Sequence, residues 1–134
     1  MPHLSADALA VRVYYEDTDF SGRVYHASYL RFLERGRTEW LRGHGFSHQD
    51  FAASSGVVFA VRSLQIDFFS PALMDDLLRV ETEVSELRGA SIEFRQRIFR
   101  GEKELAAATV KVAAIRDGRP ARIPPALRRL FEAR

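Results

Sequence analysis

A chain of 134 residues, 46% apolar and 28% charged, is the size of one soluble domain and buries roughly two-thirds of the surface its unfolded form exposes. The lack of cysteine excludes disulfides, thiolate nucleophiles, iron–sulfur clusters and cysteine-based zinc sites. Net charge is only +2, and the chain shows neither a secretory leader nor an apolar run near the roughly 18 residues of a spanning helix, so the expected location is the cytoplasm, without membrane insertion.

Residues 10–17 alternate as a strand does, with Val11, Val13 and Tyr15 on one face and Arg12, Tyr14 and Glu16 on the other. A loop, DTDFSGRV, follows. From Ala27 to Gly43 the large residues Tyr29, Phe32, Leu33 and Trp40, with Gly36, recur at three- and four-residue steps, which predicts a helix ended by Gly43 and Gly45. Its aromatic side needs a wrapper. Four segments supply one, at 57–70, 77–88, 91–100 and 104–116, separated by turn signals at Pro71 to Asp76, Gly89 and Gly101.

Alternation in Leu78, Val80, Thr82 and Val84, in Ile92, Phe94, Gln96 and Ile98, and in Ala108, Val110 and Val112 gives strands with one buried face. The alanines at 106, 107, 108, 113 and 114 would let the helix come close. Pro124 and Pro125 open a short terminal helix through Leu127, Leu130 and Phe131. With no internal repeat or linker, residues 1–134 form one α+β domain: a five-stranded curved antiparallel sheet wrapped around a long central helix. The exposed edges of such a sheet predict a homodimer or a homotetramer, a dimer of dimers.

The chemistry concentrates in residues 14–42. Glu16, Asp17 and Asp19 fall just before the helix, whose start carries unpaired N–H groups and partial positive charge. Taken alone, these aspartates suit either a turn or a reactive carboxylate in a pocket beside the helix start. There a preorganised N–H donor to an oxyanion is worth on the order of 3 kcal/mol. Arg116, Arg119, Arg122, Arg128 and Arg129 suit either a solvated basic tail or an anionic ligand.

The pattern Y-x-E-D-T-D-x-x-G-x-V-Y-H-x-x-Y-L-x-F-x-E-R, from Tyr14 to Arg35, resembles the signature of hot-dog-fold acyl-CoA thioesterases. Its nearest group is the 4-hydroxybenzoyl-CoA thioesterase-like, YbgC-type proteins associated with the Tol–Pal system. The S-P-A-x-x-D-D segment at Ser70 to Asp76 and R-G-x-S at Arg88 to Ser91 also fit. The resemblance implies a hot-dog fold and hydrolysis of an acyl-CoA, with an acyl carrier protein as a further possible carrier. It makes Asp19 the catalytic carboxylate, as nucleophile on the thioester carbonyl or as general base for a water. The backbone N–H of His26 would polarise the thioester oxygen, and its ring would orient Asp19, water or substrate.

Beside these, Gly22 would admit the ligand close to the loop backbone, or serve as a turn glycine. Tyr25 is expected at the acyl pocket and Tyr29 in the core, with Glu34 paired to Arg31 or Arg37 if it points inward. Arg88, Arg119 and Arg122 are the candidates for the CoA phosphates. Phe20, Ser21 and Arg23 depart from the commoner D-T-D-A-G-G-V-V-Y-H form, which bears on substrate preference.

No serine elbow, zinc helix, phosphate loop or dinucleotide turn is present, and the histidines at 3, 26, 44 and 48 are scattered. No metal, cofactor or nucleic-acid partner is expected. Two other readings are a hot-dog dehydratase, whose H-F-P-G-x-P-type segment is missing, and a non-catalytic acyl-thioester-binding or scaffold protein.

Overall fold

The computed structural model describes residues 8–46 and 48–132, with the side chains of residues 48, 50 and 51 left out of the description. Strand β1 runs Ala8–Arg12, a 3-10 turn Tyr15–Asp17, helix α1 His26–Gly43 and helix α2 His48–Ser55. Strands β2 (Val58–Phe68), β3 (Leu77–Leu87), β4 (Ser91–Arg100) and β5 (Lys103–Arg116) follow, then the two-residue β6 (Arg119–Pro120) and helix α3 (Pro125–Glu132). The long strands form one antiparallel sheet in the order β1-β3-β4-β5-β2, and β6 folds back on β5. The curled sheet with α1 against it is the hot-dog arrangement expected from the sequence.

The inward faces are those the alternation picks out. Leu78, Val80, Thr82 and Val84 of β3 are buried, as are Ile92, Phe94, Gln96 and Ile98 of β4 and Ala108, Val110 and Val112 of β5. They meet Tyr29, Phe32, Leu33, Trp40 and Leu41 of α1, and Leu127 and Phe131 of α3 close one end by stacking Phe131 on Trp40, ring centroids 5.5 Å apart. Pro125 is the first residue of α3, where a missing N–H costs nothing.

Two expectations need correction, and one element was not expected. The first strand stops at Arg12, because the Asp17 carboxylate accepts the Tyr14 N–H at 2.9 Å and draws residues 15–17 into a 3-10 turn. Tyr15 is therefore exposed and does not share the buried face of Val11 and Val13. Helix α2 stands where the sequence showed no helical period.

The close approach of helix to sheet falls on Gly36 and not on the β5 alanines. A Cβ at Gly36 would lie 2.8 Å from Val80 Cγ1 and 3.0 Å from both Gln96 Nε2 and Thr82 Oγ1. All three neighbours are buried, and Gln96 and Thr82 are hydrogen-bonded to each other, so they have little room to yield. Gly36→Val should lower the free energy of unfolding by about 2–3 kcal/mol, as overpacking does. Urea denaturation followed by circular dichroism measures it, and an unchanged midpoint would show that the helix can shift outward at no cost.

Candidate active site

Residues 18–24 form a loop sewn to the segment before β3. Isolated bridges join Thr18 to Val24 and Arg23 to Leu73. The Val24 N–H donates to the Ala72 carbonyl (2.9 Å) and the Met74 N–H to that of Gly22 (3.3 Å). The Ala72 N–H donates to the buried Tyr29 hydroxyl oxygen at 2.9 Å, so a core residue of α1 holds the same segment. Asp76 fastens it from the far side, accepting the Leu73 N–H (2.9 Å) and pairing with Arg100 (2.6 Å). The S-P-A-x-x-D-D stretch is thus the clamp for the D-T-D loop.

The two aspartates of D-T-D have opposite surroundings. Asp17 is 6% exposed, its Oδ2 taken by the Tyr14 N–H and its Oδ1 3.7 Å from Arg31, whose guanidinium also donates to Ser28 Oγ. Its backbone carbonyl accepts the Tyr25 N–H at 2.8 Å. Asp19 is exposed, and its Oδ1 accepts from the Ser21 hydroxyl at 2.6 Å and the Ser21 N–H at 2.8 Å. Those two bonds, the hydroxyl first, hold its carboxyl below the ordinary 3.8 and keep it ionised at neutral pH. The Arg23 backbone N–H and guanidinium add smaller pulls in the same direction, and the exposed carboxylate stays accessible to a substrate or water.

Gly22 has φ +79, its N–H donates to the Asp19 carbonyl at 3.1 Å, and nothing lies within 4 Å of a Cβ built on it. The glycine is required by its left-handed backbone, as a turn residue, and not by crowding. His26 is the first residue of α1, behind Tyr25, which makes no side-chain capping bond. The Ser28 N–H donates to the Tyr25 carbonyl at 2.9 Å, which leaves the N–H groups of His26 and Ala27 as the first-turn donors without an intrahelical acceptor. The His26 ring stands edge-on to Phe68 of β2, centroids 5.4 Å apart, and to Tyr25 at 6.0 Å. Phe20, Tyr25, Phe68, Phe69, Leu73 and Met74 are exposed around this end of the sheet.

The three arginines assigned to phosphates lie elsewhere in the chain's own frame. Arg88 sits in the β3–β4 turn and pairs with Glu86 at 2.7 Å. The Ile123 N–H bonds the Gly89 carbonyl at 2.9 Å, bringing the segment of Arg119 and Arg122 to the same turn. The D-T-D loop is at the other end of β3, and eleven residues of strand separate the two ends by roughly 30 Å. One chain does not bring these cations to its own Asp19.

Under α1 lies a buried polar group that the sequence reading did not single out. Gln96, fully buried, donates to the Leu33 carbonyl and to Thr82 Oγ1, both at 2.9 Å, and accepts from Arg37 at 2.9 Å. The inward Arg is Arg37, while Glu34 is exposed, and Arg31 serves Asp17 and Ser28. A signal existed: Gln96 occupies an inward strand position, and Arg37 lies one residue after Gly36 on the helix's buried stripe.

A model of the thioesterase superfamily matches residues 21–107, beginning two residues after Asp19. The chain is 50% identical over 123 residues to the acyl-CoA thioesterase YbgC of Haemophilus influenzae, covering 90% of each protein. It is 52% identical over 95 residues to the acyl-CoA thioester hydrolase YbgC of Escherichia coli O6:H1, 71% of this chain and 70% of that one. The chain belongs to the thioesterase superfamily. Within this family a solved probable thioesterase from Bartonella henselae superposes with a TM-score of 0.84 at 45% identity, over 87% of this chain and 98% of that one.

Because the Ser21 hydroxyl is the largest influence on Asp19, Ser21→Ala should move the Asp19 carboxyl upward, back toward the ordinary 3.8. A carbon-detected NMR titration of the carboxyl group reads this directly. An unshifted midpoint would show that the loop does not hold Ser21 against Asp19 in solution.

Proposed function

We propose that the protein hydrolyses acyl-CoA thioesters to free acid and CoA, with Asp19 as the reacting carboxylate and the start of α1 as the oxyanion site. The observation that carries this reading is the contrast within D-T-D: one aspartate is buried and spent on the Tyr14 N–H, the other is ionised and exposed in the loop that leads into the start of α1. The names of the similar proteins support it. As nucleophile, Asp19 would attack the thioester carbon, expel the CoA thiolate and leave an anhydride that water opens. As general base, it would take the proton of the water that attacks. In both, the developing oxyanion is met by the His26 N–H. His26's ring, against Phe68, orients the substrate, and Gly22 and Tyr25 border it.

The working unit in this reading is a homodimer, or a homotetramer built from two. Strand β2 is an eleven-residue sheet edge with Val58, Val61 and Phe68 exposed, the kind of edge that proteins cover. Antiparallel pairing of β2 with its copy sets the Val58 end of one strand by the Phe68 end of the other. Val58 pairs with Ile115, just before the β5–β6 hairpin, so the Arg119 and Arg122 end of one copy comes toward Asp19 of the other. The arginines then serve CoA phosphates across the dimer, with Arg88 at the same end. Acyl carrier protein thioesters are a second class of substrate, and the cytoplasm the place of action.

The test is thiol release by the purified full chain from short, long and aromatic acyl-CoAs and from an acyl carrier protein thioester. At least one acyl-CoA should turn over, and Asp19→Asn should reduce its rate about a hundredfold or more with the fold intact by circular dichroism. No release from any thioester, or a variant equal to wild type, would leave a binding or scaffold protein as the better reading.

A further inference from the structure

The Asp19 carboxylate meets both Ser21 donors at the same oxygen. Oδ1 accepts the hydroxyl at 2.6 Å and the N–H at 2.8 Å, and neither bond falls on Oδ2. The N–H bond belongs to the turn, since an aspartate commonly accepts from the backbone two residues on. The hydroxyl is not needed for that turn, yet its pull on Asp19 is the larger. The loop itself is pinned: the Asp19 N–H donates to the Arg23 carbonyl at 2.9 Å, the Gly22 N–H to the Asp19 carbonyl at 3.1 Å, and a bridge joins Thr18 to Val24. Both donors therefore stand in place before any reaction begins.

Fixed donors aimed at an oxygen that gains charge during a reaction are what an oxyanion site consists of. An anhydride formed through Oδ2 has two carbonyl carbons, that of the acyl group and that of Asp19. Water entering at the acyl carbon puts the negative charge on the acyl oxygen, opposite the single His26 N–H. Water entering at the Asp19 carbon puts it on Oδ1, which already has the two Ser21 donors in contact. Bonds to an ionised acceptor are roughly twice as strong as neutral ones, so two donors against one favour entry at Asp19. The Arg23 guanidinium adds positive charge nearby. The exposed Asp19 also leaves its carbon open to solvent.

We propose that Ser21 is a catalytic residue of the second half of the reaction: its N–H and hydroxyl on Oδ1 direct water to the Asp19 carbon of the anhydride. The proposal rests on the thioesterase reading above, with Asp19 as nucleophile. In the first step the bond from Oδ2 to the acyl carbon forms and the CoA thiolate leaves. In the second, water adds to the Asp19 carbon and the carbonyl electron pair moves onto Oδ1. Its return breaks the bond from that carbon to Oδ2. The water sheds its two protons, one to the CoA thiolate and one to solvent. The acid departs with Oδ2, and Asp19 keeps the oxygen of the water.

The experiment is a single turnover in water enriched in oxygen-18, with the full chain in excess over an acyl-CoA that it hydrolyses. Mass spectrometry then weighs the released acid and the peptide that holds Asp19. The label should enter Asp19 and not the acid. Ser21→Ala keeps the N–H and loses the hydroxyl. It should release CoA in a burst of about one per active site and then turn over about tenfold more slowly than wild type, the effect of one net hydrogen bond. Ser21→Thr, which keeps the hydroxyl, should restore the wild-type course. A Ser21 that only shapes the loop would slow the burst and the later turnover together, and that result overturns the proposal. Label in the acid alone, with CoA released, also overturns it and leaves the thioesterase standing, as does label in Asp19 with Ser21→Ala turning over like wild type. Failure to release CoA from every acyl-CoA overturns both.

Discussion

One buried carboxylate, that of Asp17, holds the D-T-D corner of this molecule together. Its Oδ2 takes the Tyr14 N–H and ends β1, while its backbone carbonyl takes the Tyr25 N–H at the start of α1. Strand end, 3-10 turn and helix cap are thereby tied to a single residue. The Arg31 contact at 3.7 Å, with Arg31 more than half exposed, adds little. The worth of Asp17 lies in the part-buried N–H it accepts, a hydrogen bond to a charged group worth about 1.5–3 kcal/mol. With Asp17 committed inward, the chain turns Asp19 outward two residues later, where Ser21 holds one oxygen and the carboxylate stays exposed.

The second constraint is the distance between helix and sheet. Gly36 admits β3 and β4 so closely that Gln96 reaches the Leu33 carbonyl from below. A buried amide with every atom matched permits only one register of helix over strand. That register carries Tyr29 to the Ala72 N–H and so sets where the D-T-D loop rests. On the β2 side the helix stands off, and the gap left there is a cavity beside Arg37. Tight packing on one flank and an open slot on the other follow from the same helix placement.

Much of this was legible in the residues. The period of Tyr29, Phe32, Leu33, Gly36 and Trp40 marks α1 to within one residue at its start, and the alternation in 77–116 assigns the inward face of three strands. Other features were hidden for physical reasons. Tyr14, Tyr15 and Glu16 alternate as a strand would, and only the side chain of Asp17 diverts them. The two aspartates are equivalent on paper because the choice between inward and outward depends on which backbone N–H each can reach. Arg88, Arg119 and Arg122 share a charge type but lie a full strand length from Asp19, a separation that no local pattern encodes. Arg37 stood beside Gly36 on the buried stripe, yet helical spacing alone does not say whether a long cationic side chain bends back to solvent.

The central claim is a division of labour: Asp17 maintains the fold of the loop and Asp19 is free for chemistry. Equilibrium urea unfolding of Asp17→Ala and Asp19→Asn beside wild type tests it most directly. Asp17→Ala should lose about 2 kcal/mol, the worth of a part-buried hydrogen bond to a charged group, while Asp19→Asn should keep the wild-type midpoint. The reverse order, or equal losses in the two variants, would contradict the division and with it the assignment of Asp19 as the reacting carboxylate.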